Sequence, residues 1–307
     1  MARLFITGGN GMVGRNLRDH PGSAHWEVLA PSRAELDLAD AQALRDFLDR
    51  HRPDALVHAA GLVGGIQANM AEPLRYLAEN ARIGLNVVEA ARAAQVPVLI
   101  NLSSSCAYPR DLGLGLTEDR ILTAPLEPTN EGYALAKIMT MRLVEYAARE
   151  DASLAWRTLI PCNLYGPHDK YDPRHSHLLP AIIHKLHQAK LAGQDSVDIW
   201  GDGEARREFM YAPDLAGAIL RALDAPQALP LVMNVGPGVD HSINDYYRIA
   251  AEVIDWRGQF WHDLTRPVGM QRKLLDISHQ QAWGWAPETA LRDGIALTYA
   301  HYLKGAR

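Results

Sequence analysis

Tyr133 and Lys137 stand four residues apart in "YALAK", within a stretch whose spacing predicts a helix, so both side chains share one face. A lysine ammonium near a phenol lowers the phenol's pKa, and such a lysine can also hold a ribose. The phenol can then exchange a proton with a carbonyl oxygen while a hydride moves. Ser104 is the middle serine at the end of the apolar run "VPVLINLSSS", and a hydroxyl at such a strand end can donate to the same oxygen. Ser104, Tyr133 and Lys137 therefore outline a frame for carbonyl reduction. Two residues past the serine stands Cys106. Hydride transfer alone asks for a hydroxyl there, not a thiol. A thiol with a reference pKa of about 8.5 and an imidazole of about 6.5 can both exchange protons near neutrality, which brings in His177 of "HSHLLPA". The bland alternative is that a cysteine at a strand end is a small buried hydrophobe, the reading given to Cys162. His175, His184 and His187 likewise read as helix-surface residues.

The elements that must position these groups follow from the hydrophobic pattern. "RLFITGG", "WEVLAPS", "DALVHAAG", "VPVLINLSSS" and "LAWRTLIPC" read as strands. Helical patterns separate them: "MVGRNLRDH", "DAQALRDFLDRH", a long stretch from about Pro73 to Gln95, and "GYALAKIMTMRLVEYAARE". Strands alternating with helices of this length imply βαβ crossovers, hence an α/β fold with a doubly wound parallel sheet. The second half is less regular. "SHLLPAIIHKLHQA", "APDLAGAILRAL" and "HSINDYYRIAAEVI" read as helices, the last opened by Ser242 three residues before Asp245. "VDIWGDG" and "LVMNVG" read as strands. No repeat or low-complexity linker intervenes, so the second region is expected to fold against the first.

Between the first strand and first helix lies "TGGNGMVG", with Gly8, Gly11 and Gly14 spaced G-x-x-G-x-x-G. Glycines let the backbone turn tightly and approach a pyrophosphate, whose charge then meets the helix N-terminus. In this strand–turn–helix context the spacing predicts dinucleotide binding. NAD sites show an acid at the end of the second strand, for the ribose hydroxyls. Here "VLAPSRAELDL" has no acid directly after the strand, and Ser32 and Arg33 stand where a 2′-phosphate would lie. The expected cofactor is NADP(H).

The totals narrow the partners. The 307 residues carry 31 Lys and Arg against 36 Asp and Glu, a formal charge of −5. That argues against a nucleic-acid binder, which needs a basic face. Two cysteines suggest no disulfide framework. The N-terminus runs straight into a strand, and no apolar stretch is long enough to span a bilayer. The expectation is a cytoplasmic protein with neither a membrane nor a nucleic-acid partner. No metal site is expected, because the histidines lack acidic or cysteine neighbours at ligand spacing.

In order along the chain stand "VGGIQANM", "SSSCAYP", "LEPTNEGYALAK", "NLYGPHD", "HSHLLPA", "WGDGEARREF", "NVGPGVD" and "RKLLD". This series resembles the extended short-chain dehydrogenase/reductase family and, within it, the GDP-L-fucose synthase group. Those enzymes are 3,5-epimerase/4-reductases of GDP-4-keto-6-deoxy-D-mannose. The resemblance covers nearly the whole chain. It implies a Rossmann-type NADP-binding domain (1–167 plus about 203–236), a smaller C-terminal α/β substrate-binding domain (168–202 plus 237–307), and a homodimer.

The resemblance also implies roles. Cys106 and His177 match the group's epimerase pair, Cys106 as base and His177 as acid, although the residues themselves do not fix that direction. A 4-ketone acidifies the hydrogens at C3 and C5, because the enolate shares its charge with oxygen, and Ser104, Tyr133 and Lys137 would stabilise that oxygen in both steps. The cofactor would meet Gly8, Gly9, Asn10, Gly11, Met12, Val13 and Gly14 in the loop, and Arg33 beyond the second strand. Deeper in, it would meet Leu102, Ser103, Lys137, Pro161, Asn163, Leu164 and His177. Lys185, Trp200, Arg207 and Lys273 would bind the substrate, with the arginine fork suited to its diphosphate. Three departures from the group's pattern bear on specificity. Asn10 and Lys185 replace arginines, and Val268 replaces an aspartate. The open alternatives are a related GDP-4-keto sugar, of the GDP-L-colitose or GDP-heptose type, and a catalytically silent NADP-binding protein.

Overall fold

The computed structural model describes residues 1–110, 112, 115–172, 176–266 and 270–305. The first half runs β1 (Ala2–Thr7), α1 (Met12–Asp19), β2 (Trp26–Leu29), α2 (Ala41–His51), β3 (Ala55–His58), α3 (Ile66–Ala71), α4 (Pro73–Ala93), β4 (Val98–Leu102), α5 (Glu131–Glu150) and β5 (Ala155–Pro161). These strands, with one later strand, build a six-stranded sheet that is parallel throughout. Alternate residues feed two cores. Leu4, Ile6, Val57 and Ile100 face a core shared with Leu17 of α1. Phe5, Leu56 and Leu99 face another, shared with Leu44 of α2 and Val87 of α4. Both faces of the sheet are therefore covered, which is why its strands read as near-continuous apolar runs. Asp40 starts α2 by accepting from the backbone N–H groups of Gln42 and Ala43.

The chain continues through β6 (Asn163–Tyr165), α6 (Leu178–Leu191), β7 (Ser196–Trp200), β8 (Arg206–Arg207), β9 (Phe209–Tyr211), α7 (Ala212–Asp224) and β10 (Val232–Val235). It ends with β11 (His241–Ser242), α8 (Ile243–Ile254), β12 (Gln259–Asp263), β13 (Arg272–Lys273), α9 (Ser278–Ala282) and α10 (Leu291–Gly305). β10 completes the large sheet, whose order is β10-β5-β4-β3-β1-β2. Helix α7 packs on α1 and puts Leu215, Ile219 and Leu223 into the first core. A third core gathers Ile182 and Leu186 of α6, Val197 and Ile199 of β7, Tyr246 and Ala250 of α8, and Ile295 of α10. The later segment also reaches back, because Leu275, Ile277, Trp283 and Trp285 pack against the first core. Ser242 and Asp245 form the reciprocal capping box expected at the start of α8.

The topology sets where ligands can go. From β1 the chain adds β2 on one side and then crosses to β3 on the other. That reversal opens a crevice beyond the carboxyl ends of β1 and β3. The glycine loop leaves β1 at this point. Among the described residues no helix is long and apolar enough to cross a membrane.

Candidate active site

The glycine loop is built by close approach. Gly8 sits at φ +71°, where a side chain is strained, and a Cβ there would lie 2.7 Å from the Cα of Ala60 beyond β3. A Cβ on Gly14 would stand 2.4 Å from the Gly8 carbonyl oxygen and 2.6 Å from the Gly9 Cα. The Gly11 N–H donates to the Gly8 carbonyl at 2.9 Å, and Gly11 opens α1 with no side-chain cap. The N-terminus of α1 is thus left to an external anion, which fits a dinucleotide pyrophosphate. Gly14→Ala is expected to cost about 1–3 kcal/mol, since the clash is with backbone. Thermal unfolding with and without NADP⁺ checks this. The variant should unfold earlier and lose the stabilisation that NADP⁺ confers; a variant keeping the full wild-type increment would show that the loop does not hold the cofactor.

Asn10, Met12 and Val13 lie in this loop and the first turn of α1. Asn10 Oδ1 accepts from Arg18 Nη1 at 3.3 Å, so a guanidinium stands at the loop although position 10 holds none itself. Sequence reasoning missed Arg18, which looked like any charged position of a short helix. Arg33 follows β2, with its side chain 73% exposed and its Nε 4.0 Å from Asp37 Oδ1.

The hydroxyls and the thiol meet past β4. Ser104 stops the strand and caps a single 3₁₀ turn, its Oγ accepting from the Cys106 N–H at 3.2 Å. That turn carries Cys106, which is partly exposed, whereas Cys162 is buried in the first core. Burial, then the charge of Glu208, pushes the Cys162 thiol well up. From α5 comes Tyr133, hydrogen-bonded to the Ser104 side chain and within electrostatic reach of Cys106. Lys137 lies one helical turn on, its Nζ 5.9 Å from the centre of the Tyr133 ring and donating to the Leu102 carbonyl at 2.9 Å. The sequence-expected residues Ser104, Cys106, Tyr133 and Lys137 are thus brought into one site.

The electrostatics differ from the sequence expectation at one point. The phenol of Tyr133 is pushed up, not down, first by burial and then by the nearby Cys106 charge; the Ser104 hydrogen bond offsets part of this. Lys137 is itself buried, which lowers it to about 8. At neutral pH the site therefore presents a protonated phenol and an ammonium ion. Beneath it, His58 of β3 shares a 2.8 Å hydrogen bond with Thr7 Oγ1. Burial, with the Lys137 charge second, holds that imidazole down at about 3, so it is neutral.

His177 occupies the residue before α6, where burial and the Lys170 charge lower its imidazole below the ordinary value. Once protonated, such a ring is a stronger acid than a free imidazole. A Cβ on Gly65, just before α3, would lie 3.5 Å from the Ser176 carbonyl, which brings the entry to α6 beside that loop. Ser103 is buried, its N–H donating to the Leu159 carbonyl at 2.9 Å while its Oγ has no partner among the described residues. Pro161 ends β5, and Asn163 and Leu164 belong to β6, where Asn163 Nδ2 donates to the Glu208 carbonyl at 2.9 Å.

The residues expected at the substrate fall into two groups. Arg207 and Lys273 are register partners in β8 and β13. Asp240 binds the neighbouring Arg206 and Arg272, at 2.9 Å and 3.0 Å, and so offsets part of their charge. Burial lowers the Arg207 guanidinium, and Tyr246 and Glu127 offset part of that. Lys185 stands elsewhere, with Nζ 2.7 Å from Asp198 Oδ1. Asp198 also bonds the side chain of Trp200, over whose ring the Arg266 guanidinium sits at 5.0 Å. Val268 and His175 lie outside the described residues. Among the described residues no group of three His, Cys, Asp or Glu is placed to hold a metal ion.

Fold and site together define the class, a Rossmann-type enzyme of the extended short-chain dehydrogenase/reductase kind. The chain belongs to the NAD dependent epimerase/dehydratase family, whose model matches residues 4–236. It is 52% identical over 303 residues to the GDP-L-fucose synthase of Azorhizobium caulinodans, covering 99% of this chain and 97% of that one. It is 46% identical over 301 residues to the GDP-L-colitose synthase of Yersinia pseudotuberculosis, covering 98% of each. Among solved structures, a GDP-6-OMe-4-keto-L-xylo-heptose reductase from C. jejuni superposes with a TM-score of 0.93 at 26% identity, over 99% of this chain and 98% of that one.

Proposed function

We propose that this protein is a two-step epimerase/reductase. It inverts C3 and C5 of GDP-4-keto-6-deoxy-D-mannose and reduces C4 with NADPH to give GDP-L-fucose. The observation that carries this reading is the thiol of Cys106 beside Ser104 and Tyr133, a proton-transfer group inside a carbonyl-reduction frame. When bound, the nicotinamide supplies the hydride. The chain's own residues do the rest. Ser104 and Tyr133 hold the C4 oxygen, and Tyr133 gives it a proton during reduction. Lys137 keeps a positive charge near that oxygen and is suited to the ribose hydroxyls. Cys106 takes the proton from the carbon next to the ketone, and His177 returns one from the opposite ring face. Arg207 and Lys273 bind the diphosphate.

The cofactor contacts are those of the glycine loop from Gly8 to Gly14, of Arg33, and of Leu102, Ser103, Pro161, Asn163, Leu164 and His177 around the nicotinamide end. The cofactor-binding unit spans 1–167 with about 203–236, and the substrate-binding unit spans 168–202 with 237–307. The working form is a homodimer in the cytoplasm. The 46% identity to a GDP-L-colitose synthase supports a second reading, in which the substrate is the 3-deoxy ketone. Such a sugar has no stereocentre at C3, so only C5 would be inverted. The test is incubation with NADPH and each GDP-4-keto sugar in turn, the 6-deoxy, 3,6-dideoxy and heptose forms, in D₂O. Epimerised product with deuterium at C3 and C5 from the 6-deoxy sugar alone supports the main reading. Faster turnover of another sugar transfers the reading to that sugar, and NADPH binding without oxidation would make this a binding protein.

Arg33 and the absence of an acid directly after β2 also predict a cofactor preference. NADPH should be used in preference to NADH. Arg33→Ala should lose a charge-assisted contact of about 1.5–3 kcal/mol, with NADPH only. Comparing kcat/KM for the two cofactors checks this, and equal wild-type efficiency with both would sink it.

A further inference from the structure

We propose that Asn130 is a positioning residue for Cys106, its side-chain amide serving the sulfur in both protonation states. The proposal rests on the epimerase reading above. Asn130 Nδ2 donates to Cys106 Sγ at 3.2 Å across 24 residues of sequence. Its Oδ1 is buried and has no hydrogen-bond partner among the described residues. Asn130 immediately precedes α5 yet makes no side-chain cap bond, and its backbone, at φ −143° and ψ 21°, is outside the extended region caps adopt. The backbone is nonetheless fixed, with the Asn130 N–H donating to Glu127 and its carbonyl accepting from Ala134. An asparagine here is therefore not explained by the helix end.

A buried amide oxygen without a partner costs free energy and asks for a reason. The epimerisation cycle supplies one. As thiolate, Cys106 accepts from the amide N–H. It removes the carbon-bound proton, and the electron pair of that C–H bond moves into the enolate, leaving negative charge on the C4 oxygen beside Tyr133 and Ser104. Cys106 is then a thiol, which needs an acceptor. The same amide, turned over about its terminal bond, offers Oδ1. As the electron pair returns from oxygen to carbon, His177 in its protonated form gives a proton to the opposite face and becomes neutral. Solvent then resets both groups. An amide whose oxygen was tied elsewhere could not follow the sulfur through this cycle.

Asn130→Asp tests the proposal because it keeps the shape and is an equally good residue before a helix, but removes the donor. Two rates are compared. One is wash-in of solvent deuterium at C3 and C5 in the presence of NADP⁺. The other is hydride transfer from GDP-L-fucose to NADP⁺, which requires no inversion. The ratio of exchange to hydride transfer should fall about tenfold or more, as expected for loss of a hydrogen bond to a charged partner. Alkylation of Cys106 by iodoacetamide, with no substrate present, should slow as well. Asn130→Ser, whose hydroxyl is tolerated before a helix but is too short to reach the sulfur, should behave the same way if the aspartate variant does not fold. An unchanged ratio, or equal loss of both rates, overturns the proposal and leaves Asn130 as part of the helix end. No deuterium exchange in the wild type would instead overturn the epimerase reading, and the alkylation comparison would then decide the amide–sulfur contact alone.

Discussion

Tyr133→Phe should slow both deuterium exchange at C3 and C5 and reduction at C4, each by about 10²–10⁴-fold, the span of a lost general acid. The ring volume is kept, so packing around α5 is preserved and the loss reports the hydroxyl. Burial and the Cys106 charge hold the phenol in its protonated form across the neutral range. The wild-type group is thus an O–H donor from the outset. The C4 oxygen carries negative charge in the enolate and again as hydride arrives, so one donor serves both. Ser104, bonded to the same phenol, would remain and account for residual activity. Exchange followed by NMR and NADPH oxidation in single turnovers separate the two steps. Exchange at the wild-type rate with reduction lost would show that Tyr133 does not serve the enolate.

The direction of that pKa shift was not legible in the sequence. The four-residue spacing of Tyr133 and Lys137 promises a cation beside a phenol, and the helix delivers it, with Nζ 5.9 Å from the ring centre. How deeply both would be buried depends on the sheet and loops above α5, and burial decides the sign. The sheet itself was readable, because parallel strands covered on both faces leave unbroken apolar runs such as "RLFIT" and "VPVLI". The glycine loop was readable too, since its spacing reflects local close approach. The two-residue strands β8, β11 and β13 were not, because two residues carry no periodicity. Yet they place Arg207 opposite Lys273. Asn130 looked like a residue before a helix, and its contact with Cys106 exists only because α5 returns against the turn after β4. Lys185 looked like a replaced substrate contact, and its pairing with Asp198 joins α6 to β7 in a way no local pattern announces.

Cys106→Ser should separate the two reactions. Serine keeps the approximate shape of the side chain, but its hydroxyl ionises far above neutrality and neither takes nor returns a carbon-bound proton efficiently. Ser104, Tyr133 and Lys137 are left in place, so the site can still deliver a proton to the C4 oxygen. The variant should therefore reduce the 4-keto sugar without inverting it, slowly, because the uninverted ring fits less well. In D₂O with NADPH its product should carry no deuterium at C3 or C5 and should keep the starting configuration, whereas the wild type should incorporate deuterium at both carbons. The buried Cys162 gives an internal control. Its thiol is pushed well up by burial and belongs to the first core, so Cys162→Ala should leave the isotope pattern as in the wild type. If Cys106→Ser made epimerised product near the wild-type rate, the thiol in the turn after β4 would be a packing group, and the proton transfers would have to be assigned to other residues.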